Sequence, residues 1–349
     1  MPKRNDILSL ISRYRTELMG FAALWILLYH EWWPVFEDSL PGKVEHFLTE
    51  MGFYGVDIFF FLSGMGLVFA IGKHSVKTFY QRRLKKLLVP YVVTLLISMV
   101  VHRWDGIYFL QILTGWNFWM VDMYTEPWYI CAILTLYLLF PLYYKFFRSA
   151  SRKELFLGLT LVLWLILSNL LRGVQRYDLY GFTNRIPVFL TGVLVGEYCR
   201  EGKPLRLSAI HWAVCCVMLC AGVVGYYLTY YKKLYILVPA SECFLPDYLI
   251  TLSGVCILSR LLCWLEKWEC VLLTGIRRAL RFLGTLSLEL YCVQYILLQQ
   301  LQIWMDGKIP RLFANLVDFY VIVLASYGLH KLCAWIHSML SATGKTTSA

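Results

Sequence analysis

The sequence predicts an all-α protein: a polytopic membrane bundle of about ten transmembrane helices with both termini cytoplasmic. Three observations predict it. The composition is too apolar for a water-soluble chain. Of 349 residues, 59% are hydrophobic and 16% charged, against about 45–50% and about 25% in soluble domains. Apolar stretches of roughly 20 residues, the length that crosses the hydrocarbon, recur from one end to the other. The basic residues gather on alternate loops.

Ten spans are expected, near 18–35, 55–72, 87–102, 129–147, 155–171, 183–199, 209–228, 248–265, 282–303 and 313–336. No alternating strand pattern competes with them. The third span is short, with Pro90 at its entry. The stretch 104–119 is aromatic and weakly polar and reads as a surface or re-entrant segment; 234–246 is ambiguous in the same way. With the N-terminus inside, 24 of the 33 basic residues fall on the inner side, while Glu37, Asp38, Glu45 and Glu50 crowd the first outer loop. This follows the positive-inside rule. The net charge of +11 is then mostly topology and gives no support to nucleic-acid binding. The run 18–33 has the length of a retained anchor rather than a cleaved leader. Residues 1–340 read as one domain and 341–349 as a flexible tail. The 11 cysteines lie mainly in or beside apolar spans, where they act as small hydrophobes. They show no paired or metal-ligand spacing, so no metal site is expected.

Polar residues inside apolar spans carry the functional signal, because burying them is costly. His30 and Glu31 lie in the outer half of the first span; His30 is about 18 Å along a helix from Leu18. The histidine is either functional or satisfied by a carbonyl near the interface. Asp57 opens the second span and lies at comparable depth if the first two helices pack as a hairpin. Either Asp57 or Glu31 is then available to orient the imidazole of a general base; Asp57 reads equally well as a cap on its own helix. Ser63, Gly64 and Gly66 allow close helix approach. The inner-face stretch 79–91 holds Tyr80, Arg82, Arg83, Lys85 and Lys86. Its charge is ordinary for a cytoplasmic loop, and it would also suit the phosphates of a cytoplasmic donor. Glu289, inside the ninth span, needs a partner or a wet cavity. Arg185 opens the sixth span.

Together these stretches resemble the acyltransferase-3 family of integral membrane acyltransferases. The resemblance is carried by Gly20-Phe-Ala-Ala-Leu-Trp-Ile-Leu-Leu-Tyr-His30, by Gly55-Val-Asp-Ile-Phe-Phe-Phe-Leu-Ser-Gly64 and by 79–91. Weaker motifs follow at 185–196 and at Leu283-Gly-Thr-Leu-Ser-Leu-Glu-Leu-Tyr291. It implies a ten-helix core that moves an acyl group, usually acetyl from acetyl-CoA. The implied acceptor is a hydroxyl of a surface glycan, a lipid-linked sugar or a peptidoglycan precursor, and His30 is the implied catalytic residue. No permanently bound cofactor is implied: acetyl-CoA or another acyl-CoA is a donor substrate, its phosphates held by the 79–91 cations. The expected partners are the bilayer, the donor, the glycan acceptor and a second copy of the chain; the expected location is the cell membrane. The family usually carries arginine eleven positions before the histidine. Here that position is Met19, and Arg13 and Arg15, one or two turns earlier, are candidates to take over. Near Gln294 many relatives place a histidine. Two rival functions are an uptake module for a small polar solute and a non-catalytic relative. A tunnel from the basic inner patch toward His30 marks an enzyme; a midplane cavity without that inner opening marks a transporter.

Overall fold

The computed structural model describes residues 6–36, 39–73, 75–122, 127–173, 179–234, 239–268, 270–297 and 299–346. Among them there is no strand, only an isolated bridge between Asp6 and Arg206. Asp6 caps α1 (Ile7–Arg13): its carboxylate accepts from the backbone N–H of Leu8 and also from that of Leu205. Tyr14 interrupts the helix, and α2 (Arg15–Glu31) sets off in a new direction. Ser39 caps α3 (Leu40–Glu50), and a single tight turn leads into α4 (Tyr54–Ile71).

Ser75 caps α5 (Val76–Val101), which runs straight through Pro90. The third span is therefore longer than expected: its basic entry, 79–86, is helix and not loop. The 104–119 stretch folds as two short helices, α6 (Gly106–Leu113) and α7 (Trp116–Met120), turned by Gly115 at φ 73°. Next come α8 (Trp128–Ser149), α9 (Lys153–Gly173), α10 (Tyr180–Thr183) and α11 (Ile186–Glu201). The last of these stops at Gly202, φ 67°. Then follow α12 (Ala209–Tyr226), extended by a wider turn to Tyr231, and α13 (Pro239–Leu265). Of the ambiguous 234–246 segment, 235–238 lie outside the described residues.

The ninth span departs most from expectation. The run 282–303 is not one helix. It is shared by α14 (Val271–Thr285), α15 (Ser287–Leu297) and α16 (Gln300–Met305). At the first break the Leu286 N–H still finds the Phe282 and Leu283 carbonyls. At the second, Gln299 takes a left-handed φ of 56° and its N–H is accepted by the Glu31 carboxylate. The chain closes with α17 (Arg311–Thr346), which covers most of the segment expected as a tail; 347–349 lie outside the described residues.

Among the described residues, seven helical segments are long and apolar enough to cross a membrane: Leu40–Ile71, Val76–Val101, Trp128–Ser149, Lys153–Leu170, Ala209–Tyr231, Phe244–Leu265 and Arg311–Leu340. The other three expected spans fall on the shorter α2 and α11 and on the α14–α16 series. The chain is an all-α polytopic membrane bundle. Burial ranks its helices: 72% of the most apolar stretch within Leu40–Ile71 is buried, against 11% for that within Ala209–Tyr231. So α4 is central and α12 lies on the rim. Rim helices turn apolar side chains outward, among them Leu159, Val162 and Ile166 on α9 and Val217 on α12. In a bilayer that surface meets lipid.

Backbones come close at several crossings, and at two of them glycines on both helices make the contact. A methyl group at Gly64 of α4 would overlap the Phe189 carbonyl of α11, and one at Gly192 would overlap that of Phe61. Gly20 of α2 and Gly284 of α14 meet the Leu280 and Thr16 carbonyls in the same way. Glycine is what lets helices pack this closely. Between α13 and α14, Glu266 joins three elements: Arg13 at 2.8 Å, Arg277 at 2.9 Å and the Tyr14 hydroxyl. Burial pushes its carboxyl up, but the Tyr14 hydroxyl, Arg277 and Arg13 outweigh that and hold it below the usual carboxylate range.

Candidate active site

The helical period of α5 sets Arg82 and Lys86 four apart and Arg83 and Lys86 three apart, so all three share one flank. That flank faces α2 and α4 across a chamber of about 430 Å³, also lined by Arg15 and Lys73. Arg15 reaches in because Gly66 has no side chain: a Cβ there would lie 2.8 Å from the guanidinium. Its Nε and Nη2 donate to the Leu62 carbonyl at 3.4 and 3.2 Å. Arg83 donates to the Gly66 carbonyl at 3.5 Å. Among the described residues, Arg15, Arg83 and Lys86 have no carboxylate within ion-pair distance. Cations held by carbonyls alone keep their charge available to an anion.

The same three cations also line a second, deeper chamber of about 510 Å³. It runs among α2, α5, α8, α15 and α17, past Met19, Ser63, Tyr129 and Tyr291, to Ile26 and Gln294. Gln294 Nε2 lies 3.5 Å from the Ile26 carbonyl. His30 stands one helical turn beyond Ile26 and lines neither chamber. The residue is exposed overall; its imidazole meets the Tyr29 ring edge-on at 4.7 Å and has no hydrogen bond among the described residues.

The two carboxylates expected beside His30 face other partners. Glu31 accepts from the Gln299 N–H at 2.9 Å, while its own carbonyl accepts from Gln302. Asp57 is fully buried and lies 3.7 Å from Arg185, an ion pair without a hydrogen bond. Arg185 in turn stacks its guanidinium over Trp128 at 5.2 Å and donates to the Gly181 carbonyl. A second buried acid, Asp247, lies within electrostatic reach of Asp57 and Arg185.

The remaining expected residues divide. Arg15, Arg82, Arg83, Lys86, Ser63 and Glu289 face the chambers. Arg13 goes to Glu266. Tyr80 turns to α8, where its hydroxyl donates to the Leu138 carbonyl at 2.7 Å. The Lys85 side chain lines neither chamber. Sequence reasoning passed over α17. His330, Cys333 and His337 line the deeper chamber, and His330 Nδ1 lies 2.8 Å from Glu289 Oε1. The signal was there, because polar groups at i, i+3 and i+7 mark one helix face. Asn315 and Asp318, buried near the Glu31 end, were also missed.

Comparison with known proteins identifies the family. The chain is 30% identical over 158 residues to the acyltransferase MdmB of Streptomyces mycarofaciens, a match that covers 40% of this chain. It spans 41% of that relative's length. No solved structure matches the chain. The model of the acyltransferase-3 family, described as an acyltransferase domain, matches residues 18–330. That match takes in most of α2 and of both chambers, with Glu289 and His330 but not Arg15, Cys333 or His337, and the chain therefore belongs to the acyltransferase-3 family.

Proposed function

We propose that this chain is a multi-pass O-acyltransferase of the cell membrane. It transfers an acyl group, acetyl from acetyl-CoA, to a hydroxyl of a cell-surface glycan or its lipid-linked precursor. One observation carries the donor assignment: three cations without carboxylate partners stand where two chambers meet. A donor with several phosphates and a long uncharged arm suits that plan, with phosphates at the cations and the arm in the deeper chamber. That the deeper chamber opens toward the basic end favours an enzyme over an uptake module.

In this mechanism His30 is the general base. Its imidazole takes the proton from the acceptor hydroxyl, and the oxygen attacks the thioester carbonyl. The C–S bond breaks, the ester forms, and the CoA thiolate leaves and takes up a proton. From Ile26 to His30 the thioester travels about 6 Å, one turn of α2. The exposure of the residue at the bundle surface supports access by an acceptor. The test is incubation of purified protein with radiolabelled acetyl-CoA and candidate glycans. His30→Ala, with unchanged folding, is expected to lower kcat by about 100-fold or more. Full turnover by that variant would overturn the role of His30, and no transfer by the wild type to any hydroxyl acceptor would overturn the function.

A further inference from the structure

A carboxylate–imidazole pair stands in the wall of the deeper chamber, and none of the steps above uses it. Glu289 of α15 and His330 of α17 meet at 2.8 Å. The carboxylate is the hidden partner, with 9% of its side chain exposed against 41% for the imidazole. Both residues line the chamber, and His330 Nε2 has no partner among the described residues. Lower on the same helix face, His337 Nε2 donates to the Lys85 carbonyl at 3.2 Å, which anchors this part of α17 to α5. Along α15, Glu289 precedes Gln294 by five residues, or about 7.5 Å of rise. The pair therefore stands between the three cations and the far end of the chamber.

Charge limits what this wall can face. Lys86 lies within electrostatic reach of Glu289, yet the carboxylate itself repels phosphate. An anion therefore favours the cations, and an uncharged polar group favours the imidazole. We propose that the Glu289–His330 pair recognises the amide-bearing arm of the acyl donor; this rests on the acyl-CoA reading above. Glu289 holds Nδ1 and fixes the ring, so Nε2 is presented to the chamber. A neutral ring accepts from an amide N–H there, and a protonated ring donates to an amide carbonyl. An amide offers both, and His330 is a positioning residue.

The experiment measures binding of three probes to the purified full-length chain: CoA, pantetheine, and adenosine 3′,5′-bisphosphate, which lacks the arm. His330→Phe is expected to weaken CoA and pantetheine by a similar factor, roughly fivefold to tenfold, and to leave the bisphosphate unchanged. His330→Gln, which keeps an amide donor and acceptor, should lose less, and Glu289→Gln should resemble it. Equal weakening of all three probes in the Gln variants means that the pair only fastens α15 to α17, and overturns the proposal. Wild-type affinity of every variant for pantetheine overturns it too, with the acyl-CoA reading intact. A wild-type chain that binds neither CoA nor the bisphosphate overturns the acyl-CoA reading and this proposal with it.

Discussion

Arg15 owes its place to two neighbours that are easy to overlook. Gly66 leaves room for the guanidinium, and Tyr14, at φ −95° and ψ 16°, separates α1 from α2. The interruption sends Arg13 to Glu266 and Arg15 into the chambers, although only one residue lies between them. From sequence both were equal candidates to replace the charge missing at Met19; the choice depends on a backbone turn that composition does not show. Met19 lines the same deeper chamber one helical turn on. On the donor reading proposed above, Arg15→Met is therefore expected to raise the KM for acetyl-CoA roughly tenfold, the cost of one lost charge-assisted hydrogen bond. Adding Met19→Arg should recover most of that loss. Steady-state transfer kinetics check both, and no recovery would mean that the two positions do not serve the same anion.

At the scale of elements, legibility followed continuity. The apolar run of α4, its glycines and the motif from Gly55 to Gly64 were all readable because neighbours in sequence carry them. The break between α14 and α15 was not readable. Hydropathy sums over Leu283, Leu286 and Leu288 without registering that the backbone turns at Leu286, since no buried N–H is left orphaned there. The Glu289–His330 pair was half readable, because the carboxylate in an apolar span announced a need for a partner 41 residues away. What the break achieves is contact: it lets Gly284 press against α2 in the wall of the deeper chamber while α15 packs on α17. Gly284→Val places a branched side chain against the Thr16 carbonyl. It is expected to destabilise the bundle by about 2 kcal/mol or more, read as a lower Tm in detergent. An unchanged Tm would show that the crossing can open without cost.

For the whole molecule, composition and charge distribution were enough to specify a polytopic helical membrane protein, but not the inequality among its helices. Ten spans were expected from sequence; among the described residues seven have the length to cross alone, and the shorter α2 and α11 pack against the central α4. Outside the spans, Glu266 ties the α1–α2 junction to α13 and α14. Its carboxyl is held below its ordinary value in the fold. The stabilisation is therefore present above the ordinary carboxylate value and is lost as pH falls through the lower folded value. Melting curves across that acid range should show a smaller fall in Tm for Glu266→Gln than for the wild type; parallel curves would remove Glu266 from the acid response.

On the His30 mechanism proposed above, the second break in the expected ninth span has a consequence for catalysis. Gln299 and Gln302 grip the His30 carbonyl, the Glu31 carbonyl and the Glu31 carboxylate. No described residue holds the imidazole by a hydrogen bond. The histidine is thus a swivel on a fixed post. Its main chain is clamped and its ring is not, so on that mechanism one ring can turn between a donor arriving along α2 and an acceptor arriving from the open side.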